Sequence, residues 1–280
     1  MPEGSQPLWL LLDIGNTHTV AGLARRDPSG QMRLDPRHEV RFRTDGAATS
    51  DEYRAALAQL FAHRGVSDLW NQVSHGVLST VVPALERVVR DCFRSLQFLN
   101  VNHLAPREFE LKLPQPSTLG ADRLANVAGA LTRFNPPFLI IDAGTATTFC
   151  LLDSKKNYIG GAIVPGFETS FKALTSKAAR LFSIELTRPD SAVGNTTETQ
   201  LTSGMILGYE ALLEGLTDRI LKDAHRDHPG LFVNPTLIAT GGCMRGLKLS
   251  ERFVMDDDLT LAGLLKYGEL GFEASIGSQK

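Results

Sequence analysis

Two short segments combine an aspartate, a glycine and small polar residues, and each follows a run of large apolar residues. They are DIGNT at 13–17, after LWLLL, and DAGTAT at 142–147, after FLII. A buried strand ending at each aspartate would deliver the carboxylate to the end of a sheet, and the glycine permits a tight turn close to a ligand. Main-chain N–H groups in such a turn bind phosphate oxygens, and Mg²⁺ can bridge a carboxylate to nucleotide phosphates. The pair therefore indicates a nucleotide–metal site.

A third glycine-rich segment adds to this pattern. The strand-like run PTLIAT ends in Gly241 and Gly242, which would let the main chain lie flat against an adenine or a ribose. Alone, such a segment is more typical of the turn before a helix, and a single DxGxT segment is more often structural. Two copies followed by the TGG segment favour nucleotide binding.

The elements that must position these turns follow from hydrophobic periodicity and capping residues. We predict a hairpin around 13–17, a second around 142–147, and a helix that starts with a capping box at Thr49–Glu52. Strands are also predicted at 38–44, 73–78, 97–102 and 235–240, and helices at 83–96, 120–134, 168–180, 200–225 and 261–272. The proline-containing stretch 104–119 has no helical period and predicts a lobe boundary. We therefore expect lobes at 1–116 and 117–280, with the last helix, about 262–280, as a candidate to pack back on the first lobe.

Composition narrows the class of protein. The chain has 280 residues, of which 42% are hydrophobic and 21% are charged, and its net charge is −2. No strong basic field is present to gather nucleic acid or an anionic membrane. The three cysteines lack CxxC spacing, which argues against a zinc site and a disulfide framework. No apolar stretch has the roughly 18 residues of a membrane span, so we expect a cytoplasmic protein without a nucleic-acid or membrane partner.

Eight segments together resemble the type III pantothenate kinases, a family of the acetate and sugar kinase, heat-shock chaperone and actin superfamily. They are LLDIGNTHTVAGL, RTDGAATSDEY, GVLSTVVPAL, GADRLANVAGA, IIDAGTATTF, GGAIVPGFETSFKAL, GNTTETQLTSGMILGY and IATGG, in family order and spacing. The resemblance implies an α/β fold with two duplicated RNase H-like, actin-like lobes and mixed sheets. It also implies an ATP-dependent transferase that phosphorylates pantothenate to 4′-phosphopantothenate in coenzyme A biosynthesis, with Mg²⁺, a monovalent cation (potassium or ammonium) and a homodimer.

The resemblance also assigns roles to residues. The ATP phosphate loop would comprise Asp13, Ile14, Gly15, Asn16, Thr17, His18, Thr19 and Val20, with Asp13 near Mg²⁺, and Thr145 would meet ATP. Pantothenate would contact Gly120, Ala121, Asp122 and Arg123, and also Thr197 from the partner side of a dimeric site. Asp122 would be the proton acceptor, and Asp142 would hold the monovalent cation.

Several alternatives remain open from the residues themselves. Asp122 begins a predicted helix, whose positive end would keep it ionised as a base, but it could equally serve only the helix dipole. Arg123 could bind a carboxylate or a phosphate, or pair with a nearby acid. Thr197 could be an ordinary helix N-cap. The family tyrosine before the GADR segment is replaced by Leu113, and the family Leu-Pro pair by Leu181-Phe182, both on the substrate side.

Two other functions also fit parts of the pattern. A different phosphotransferase or hydrolase of the superfamily would share the DxGxT turns, but would leave the GADR and GNTT segments without a role. A non-catalytic accessory protein with a relict site would not need the three aspartates Asp13, Asp122 and Asp142. Their joint presence favours the kinase.

Overall fold

The structure is a computed structural model and describes residues 8–177 and 186–277, with the main chain only at 177 and 273–277. The described strands are β1 Leu8–Ile14, β2 His18–Arg26, β3 Met32–Arg43, β4 Val73–Thr80, β5 Gln97–Asn100, β6 Glu110–Leu111, β7 Phe138–Ala143, β8 Ala146–Leu152, β9 Asn157–Pro165, β10 Thr236–Thr240 and β11 Phe253–Met255. The described helices are α1 Ser50–His63, α2 Leu69–Gln72, α3 Pro83–Cys92, α4 Ala121–Arg133, α5 Phe167–Lys177, α6 Thr197–Asp227 and α7 Leu259–Gly277. The Leu181-Phe182 pair, which replaces the Leu-Pro pair of the family, lies outside the described residues.

The chain forms two compact units. Unit 1 contains the described residues up to Phe109, the segment Pro114–Arg133 and the residues from Asp258 onward. Unit 2 contains Glu110–Leu113 and Phe134–Asp257. This division differs from the predicted boundary between 116 and 117, because α4 and α7 both belong to unit 1.

Unit 1 is built on a five-stranded mixed sheet in the order β3-β2-β1-β4-β5. The first three strands are antiparallel, and β4 and β5 run parallel to β1. Even-numbered residues of β1 such as Leu10 and Leu12 pack with Leu57 of α1 and Val89 of α3 in one core. Because side chains alternate along a strand, the odd-numbered residues of β1, including Asp13, face the opposite side of the sheet.

Helices α4 and α7 cross in close contact within unit 1. A Cβ atom on Gly129 of α4 would lie 3.0 Å from the Gly263 nitrogen and would collide with the Leu259 oxygen. A Cβ atom on Gly263 would in turn collide with the Ala125 oxygen. Further along α7, Gly268 lies against Trp9 and Val77 of the sheet. The glycines therefore let the main chains of α4 and α7 approach, which ties α4 to the last helix.

Unit 2 repeats the antiparallel hairpin arrangement of unit 1, and its sheet packs against the longer helix α6. Its six-stranded sheet has the order β11-β10-β7-β8-β9-β6, with β7, β8 and β9 antiparallel and β10 parallel to β7. Odd-numbered residues of β7, such as Ile141, pack with Leu213 of α6. Asp142 therefore faces the other side of its sheet, as Asp13 does in unit 1.

Among the described residues, no helix combines the length and the apolar character that crossing a membrane requires.

Candidate functional site

The first acidic turn joins β1 to β2 at the carboxyl end of β1. The Gly15 N–H donates to the His18 oxygen at 3.0 Å, and a Cβ atom on Gly15 would lie 3.1 Å from that oxygen. The Thr17 oxygen accepts from the Thr44 N–H at 2.9 Å, which anchors the far side of the turn to the end of β3. Asn16 lies exposed at the tip, and Asp13 is half-buried beneath it. The turn is thus compact, with its polar tip open.

The structure separates the predicted loop residues by where their side chains point. The Ile14 and Thr19 side chains are completely buried, so a nucleotide contact at these two residues would involve the main chain. His18 is half-buried, and its Nδ1 lies 3.3 Å from a guanidinium nitrogen of Arg41. Val20 is half-buried and pairs with Asp13 across the hairpin. The residues left to face a ligand are those around the tip.

A buried threonine and a tyrosine hydroxyl secure each hairpin. In unit 1, Tyr53 of α1 donates to Thr19 Oγ1 at 3.2 Å. In unit 2, Thr147 and Tyr209 of α6 are hydrogen-bonded at 2.6 Å, and Tyr209 donates to the Pro165 oxygen at 3.2 Å. Because the single tyrosine proton goes to Pro165, Thr147 is the donor to Tyr209. Thr19 therefore has a structural role that the repeated hairpin shares.

The second acidic turn is held at its back by the junction of β9 and α5. The Thr145 oxygen accepts from the Gly166 N–H at 3.0 Å and from Thr169 Oγ1 at 2.7 Å. A side chain on Gly166 would collide with the Gly144 oxygen, so only glycine allows this approach. The Thr145 residue itself is exposed. A contact between Thr145 and a ligand is therefore sterically open.

The glycine pair after β10 packs against the acid of the second turn. Gly241 has φ +101°, a conformation that favours glycine, and a Cβ atom there would lie 2.6 Å from Asp142 Oδ1 and from the Ala143 nitrogen and oxygen. Asp142 is half-buried and pairs with Thr240 on one side and with Thr148 on the other. The TGG segment thus lies against Asp142, within unit 2.

The predicted base lies at the amino end of α4, close to the carboxyl end of β4. A Cβ atom on Gly120 would lie 3.7 Å from Val81, just beyond β4, and would collide with Asp122 Oδ1. Asp13 is at the end of β1, which runs parallel to β4, so Asp13 and Asp122 lie at the same end of the unit 1 sheet. Sequence reasoning had put these two residues in different lobes.

The surroundings of Asp122 change its acidity. Its Oδ1 accepts from the Arg123 N–H at 2.8 Å, and the residue is half-buried. Desolvation by burial raises the pKa of the Asp122 carboxyl, and the Arg123 N–H and the Arg123 charge only partly oppose this. Burial therefore opposes the effect expected of the helix end, and it makes the carboxylate a stronger base than an exposed aspartate. Ala121 is buried, and Gly120 and Arg123 are half-buried.

The predicted substrate threonine lies at the start of α6. The N-cap of this helix is Thr196, whose side chain accepts from the Thr199 N–H at 3.2 Å, while Thr199 Oγ1 accepts from the Thr196 N–H at 3.0 Å. Thr197 is the first helical residue and is exposed. The alternative of Thr197 as N-cap is therefore wrong, and its side chain is accessible.

Sequence reasoning missed two polar residues of the strand ends. Ser79 of β4 pairs with Asp13 and is completely buried, and Thr148 pairs with Asp142. Neither hydroxyl has a hydrogen-bond partner among the described residues. The only sequence signal was a hydroxyl residue at the end of an otherwise apolar strand.

The residues around the two acids fit hard cations. Each acid has a hydroxyl residue opposite it on the neighbouring strand, so oxygen is the available donor type. Among the described residues, no three histidine, cysteine or acidic side chains are grouped so that they could hold a metal ion together. A single carboxylate is what Mg²⁺ uses when phosphates and waters complete its shell. Asp13 would suit such an ion, and Asp142 would suit a monovalent cation.

A family model identifies the family of this chain, and solved structures identify its fold. A family model described as type III pantothenate kinase matches residues 9–219. A structure described as a Baf family transcriptional activator from Campylobacter jejuni is 19% identical with a TM-score of 0.56, and covers 93% of this chain and 97% of that one. At such low identity a structural likeness bears on the fold alone.

Two actin-like proteins have the same fold. The ethanolamine utilization protein EutJ from Carboxydothermus hydrogenoformans is 13% identical with a TM-score of 0.52, over 95% of this chain and 90% of that one. MreB5 of Spiroplasma citri, bound to ADP, is 12% identical with a TM-score of 0.50, over 99% of each chain. The expected mixed α/β, actin-like and RNase H-like fold is confirmed.

Proposed function

Because the chain belongs to the type III pantothenate kinase family, we propose that it transfers the γ-phosphoryl group of ATP to the primary hydroxyl of pantothenate. The product is 4′-phosphopantothenate, which enters coenzyme A biosynthesis. The observation that carries this proposal is that Asp13 and Asp122 lie at the same end of the unit 1 sheet. Phosphoryl transfer needs a phosphate–metal site and a carboxylate for the attacking hydroxyl close together.

Asp122 would orient the pantothenate hydroxyl and accept its proton. A proton acceptor works best when its pKa approaches the working pH. Burial raises the pKa of Asp122, which supports this role. Arg123 would bind an anionic group of substrate or nucleotide through its guanidinium, and Gly120 and Ala121 would lie beside the bound pantothenate.

The two acidic turns would divide the remaining work. The open tip around Gly15, Asn16 and Thr17 would bind phosphate oxygens, with Asp13 beside the Mg²⁺. Asp142 would hold potassium or ammonium, and the exposed Thr145 would contact ATP. When bound, Mg²⁺ neutralises charge on the phosphate oxygens. The Gly166 contact behind Thr145 supports a fixed position for that turn.

The active form would be a homodimer in which Thr197 contacts pantothenate bound to the other subunit. The exposed position of Thr197 supports this role. Leu113, half-buried in this chain, would replace an aromatic contact to the substrate.

A coupled assay tests the proposal. Purified protein with ATP, Mg²⁺ and potassium should release ADP only when pantothenate is present, and replacing potassium by sodium should lower the rate. Nucleotide turnover on another alcohol but not on pantothenate would indicate a different phosphotransferase. No turnover, despite a folded protein, would favour an accessory role.

A further inference from the structure

Ser79, the next-to-last residue of strand β4, carries a buried hydroxyl that lacks a hydrogen-bond partner among the described residues. The residue is 0% exposed, and its Oγ has no hydrogen-bond partner among the described residues. Leaving a buried hydroxyl unpaired is unfavourable, because the hydrogen bonds it made to water are not replaced. An alanine of nearly the same shape would avoid this cost, so the hydroxyl needs a reason to be there.

The neighbours of Ser79 on its face of the sheet are apolar, with one exception. Along its own chain they are Val77 of β4 and Val81 just beyond the strand. On the β5 side the chain continues from Asn100, the partner of Leu78, into the buried Val101. On the β1 side the residue directly opposite Ser79 is Asp13. Side chains directly opposite on neighbouring strands share a face and lie within reach of each other. The Asp13 carboxylate is therefore the acceptor that the strand register offers to Ser79.

This position suits a specific task. A carboxylate that binds a cation with one oxygen is commonly held by a hydrogen bond at the other, and that bond sets the direction of the bound oxygen. We propose that Ser79 is a positioning residue: it donates to the Asp13 carboxylate when Asp13 holds the divalent cation of the nucleotide. The proposal rests on the role of Asp13 in the proposed function, and it adds a residue from a segment, GVLSTVV, to which that function gave no task.

Metal binding measured without turnover tests this role. Mn²⁺ would be titrated into the full-length protein with a non-hydrolysable ATP analogue, and the free Mn²⁺ followed by electron paramagnetic resonance. Ser79→Ala should weaken Mn²⁺ binding by about 10-fold or more. Its thermal midpoint should not fall, because the lost hydroxyl had no partner in the metal-free protein. Ser79→Thr, which keeps a hydroxyl, should retain most of the affinity.

Ser74→Ala is the matched control on the same strand. Ser74 lies at the other end of β4, where its Oγ donates to the Leu8 oxygen at 3.4 Å, so its loss should leave Mn²⁺ affinity unchanged. If Ser79→Ala binds Mn²⁺ like the wild type, or if Ser74→Ala weakens binding as much, the proposed role is wrong. If Ser79→Ala does not fold, Ser79→Cys replaces it. Cysteine has a similar size but only a weak donor, so it should also weaken Mn²⁺ binding, and wild-type affinity would contradict the proposed role. Failure of the wild type itself to bind Mn²⁺ with the nucleotide would instead refute the proposed function, and this inference with it.

Discussion

The raised pKa of Asp122 favours its proposed role as a base but lowers the stability of the folded protein once the carboxyl ionises. Its raised pKa means that the folded protein holds the proton more tightly than the unfolded chain does. Stability is therefore lost as pH rises from the ordinary aspartate range through the folded pKa, the window in which a base becomes functional.

Asp122→Asn separates these two effects. We expect kcat to fall by at least about 100-fold, because general-base catalysis is lost. The thermal midpoint at neutral pH should stay equal or rise, because the amide can still accept from the Arg123 N–H and carries no buried charge. Pantothenate-dependent ADP release and circular dichroism melting measure the two quantities. A variant with wild-type kcat would remove Asp122 as the base.

The wild-type pH profile gives an independent measure of the same residue. Since only the ionised carboxylate accepts a proton, kcat/KM should fall as pH drops through the raised pKa of Asp122. The acid limb should therefore lie above the ordinary aspartate value of 3.8. A limb at or below that value would contradict the inferred burial effect.

The tyrosine hydroxyl that secures the second hairpin should contribute measurably to stability. Tyr209→Phe leaves the buried Thr147 hydroxyl and the Pro165 oxygen without this partner, at a cost of about 1–3 kcal/mol in the free energy of unfolding. Urea denaturation measures it. Tyr267→Phe is the control, since the Tyr267 hydroxyl is buried but unpartnered among the described residues and its removal should be neutral or stabilising. Equal losses in the two variants would contradict this account.

Single residues were the part of the site least predictable from sequence. The acidic turns were recognisable because aspartate and glycine follow apolar runs. The inward direction of Thr19 and the pairing of Ser79 with Asp13 depend on strand register, which a short polar segment does not specify. The capping role of Thr196 rather than Thr197 depends on where the first turn of α6 closes.

At the scale of elements, the crossing of α4 and α7 should be sensitive to one methyl group. Gly263→Ala would place a Cβ atom against the Ala125 main chain and push α7 away from α4, which carries Asp122 in its first turn. Overpacking of this kind typically costs about 1–3 kcal/mol, and we expect a lower thermal midpoint together with a lower kcat.

Gly215→Ala is the control for helix propensity. Gly215 lies inside α6 with nothing within 4 Å of an added Cβ, so alanine there should be neutral or should stabilise by up to about 1 kcal/mol. A Gly263→Ala variant as stable as this control would show that the helices can separate freely.

We expect Gly241, the glycine that follows β10, to affect binding of the monovalent cation as well as the stability of the turn. Gly241→Ala adds an atom beside Asp142 Oδ1, so we expect a higher potassium concentration for half-maximal activity as well as lower stability. Gly230→Ala shares only the backbone strain, since φ is +81° and nothing lies within 4 Å of an added Cβ. It should destabilise by about 1–2 kcal/mol and leave the potassium dependence unchanged. The same potassium curve in both variants would argue against Asp142 as the cation ligand.

Element types were largely predictable, whereas their grouping was not. The hairpins, α1 with its capping box and α4 followed from periodicity and capping residues. The strand β3 starts at Met32, earlier than its alternating pattern predicted. The assignment of α4 to unit 1 depends on glycine contacts between helices more than a hundred residues apart, and no local pattern encodes such a contact.

At the scale of the whole molecule, the proposed shared site predicts complementation between two inactive variants. Asp122→Asn and Thr197→Ala would impair different residues of one site contributed by different subunits. Mixed after reversible dissociation, they should form heterodimers with one intact site, giving at most about a quarter of wild-type activity. The rate of ADP release before and after mixing measures this. No recovery, with dimers verified by light scattering, would place Thr197 outside a shared site.

The discontinuity of unit 1 has a consequence for synthesis. Its sheet comes from the start of the chain, while α7, which packs on that sheet and on α4, follows the whole of unit 2. Domains generally fold as units while the chain emerges amino end first. The ribosome therefore makes most of unit 1 early but cannot complete it. The face of the sheet that carries Asp13 stays without its α7 contacts until α7 is made. Unit 2, made largely in one stretch, can be complete before the unit that was begun first.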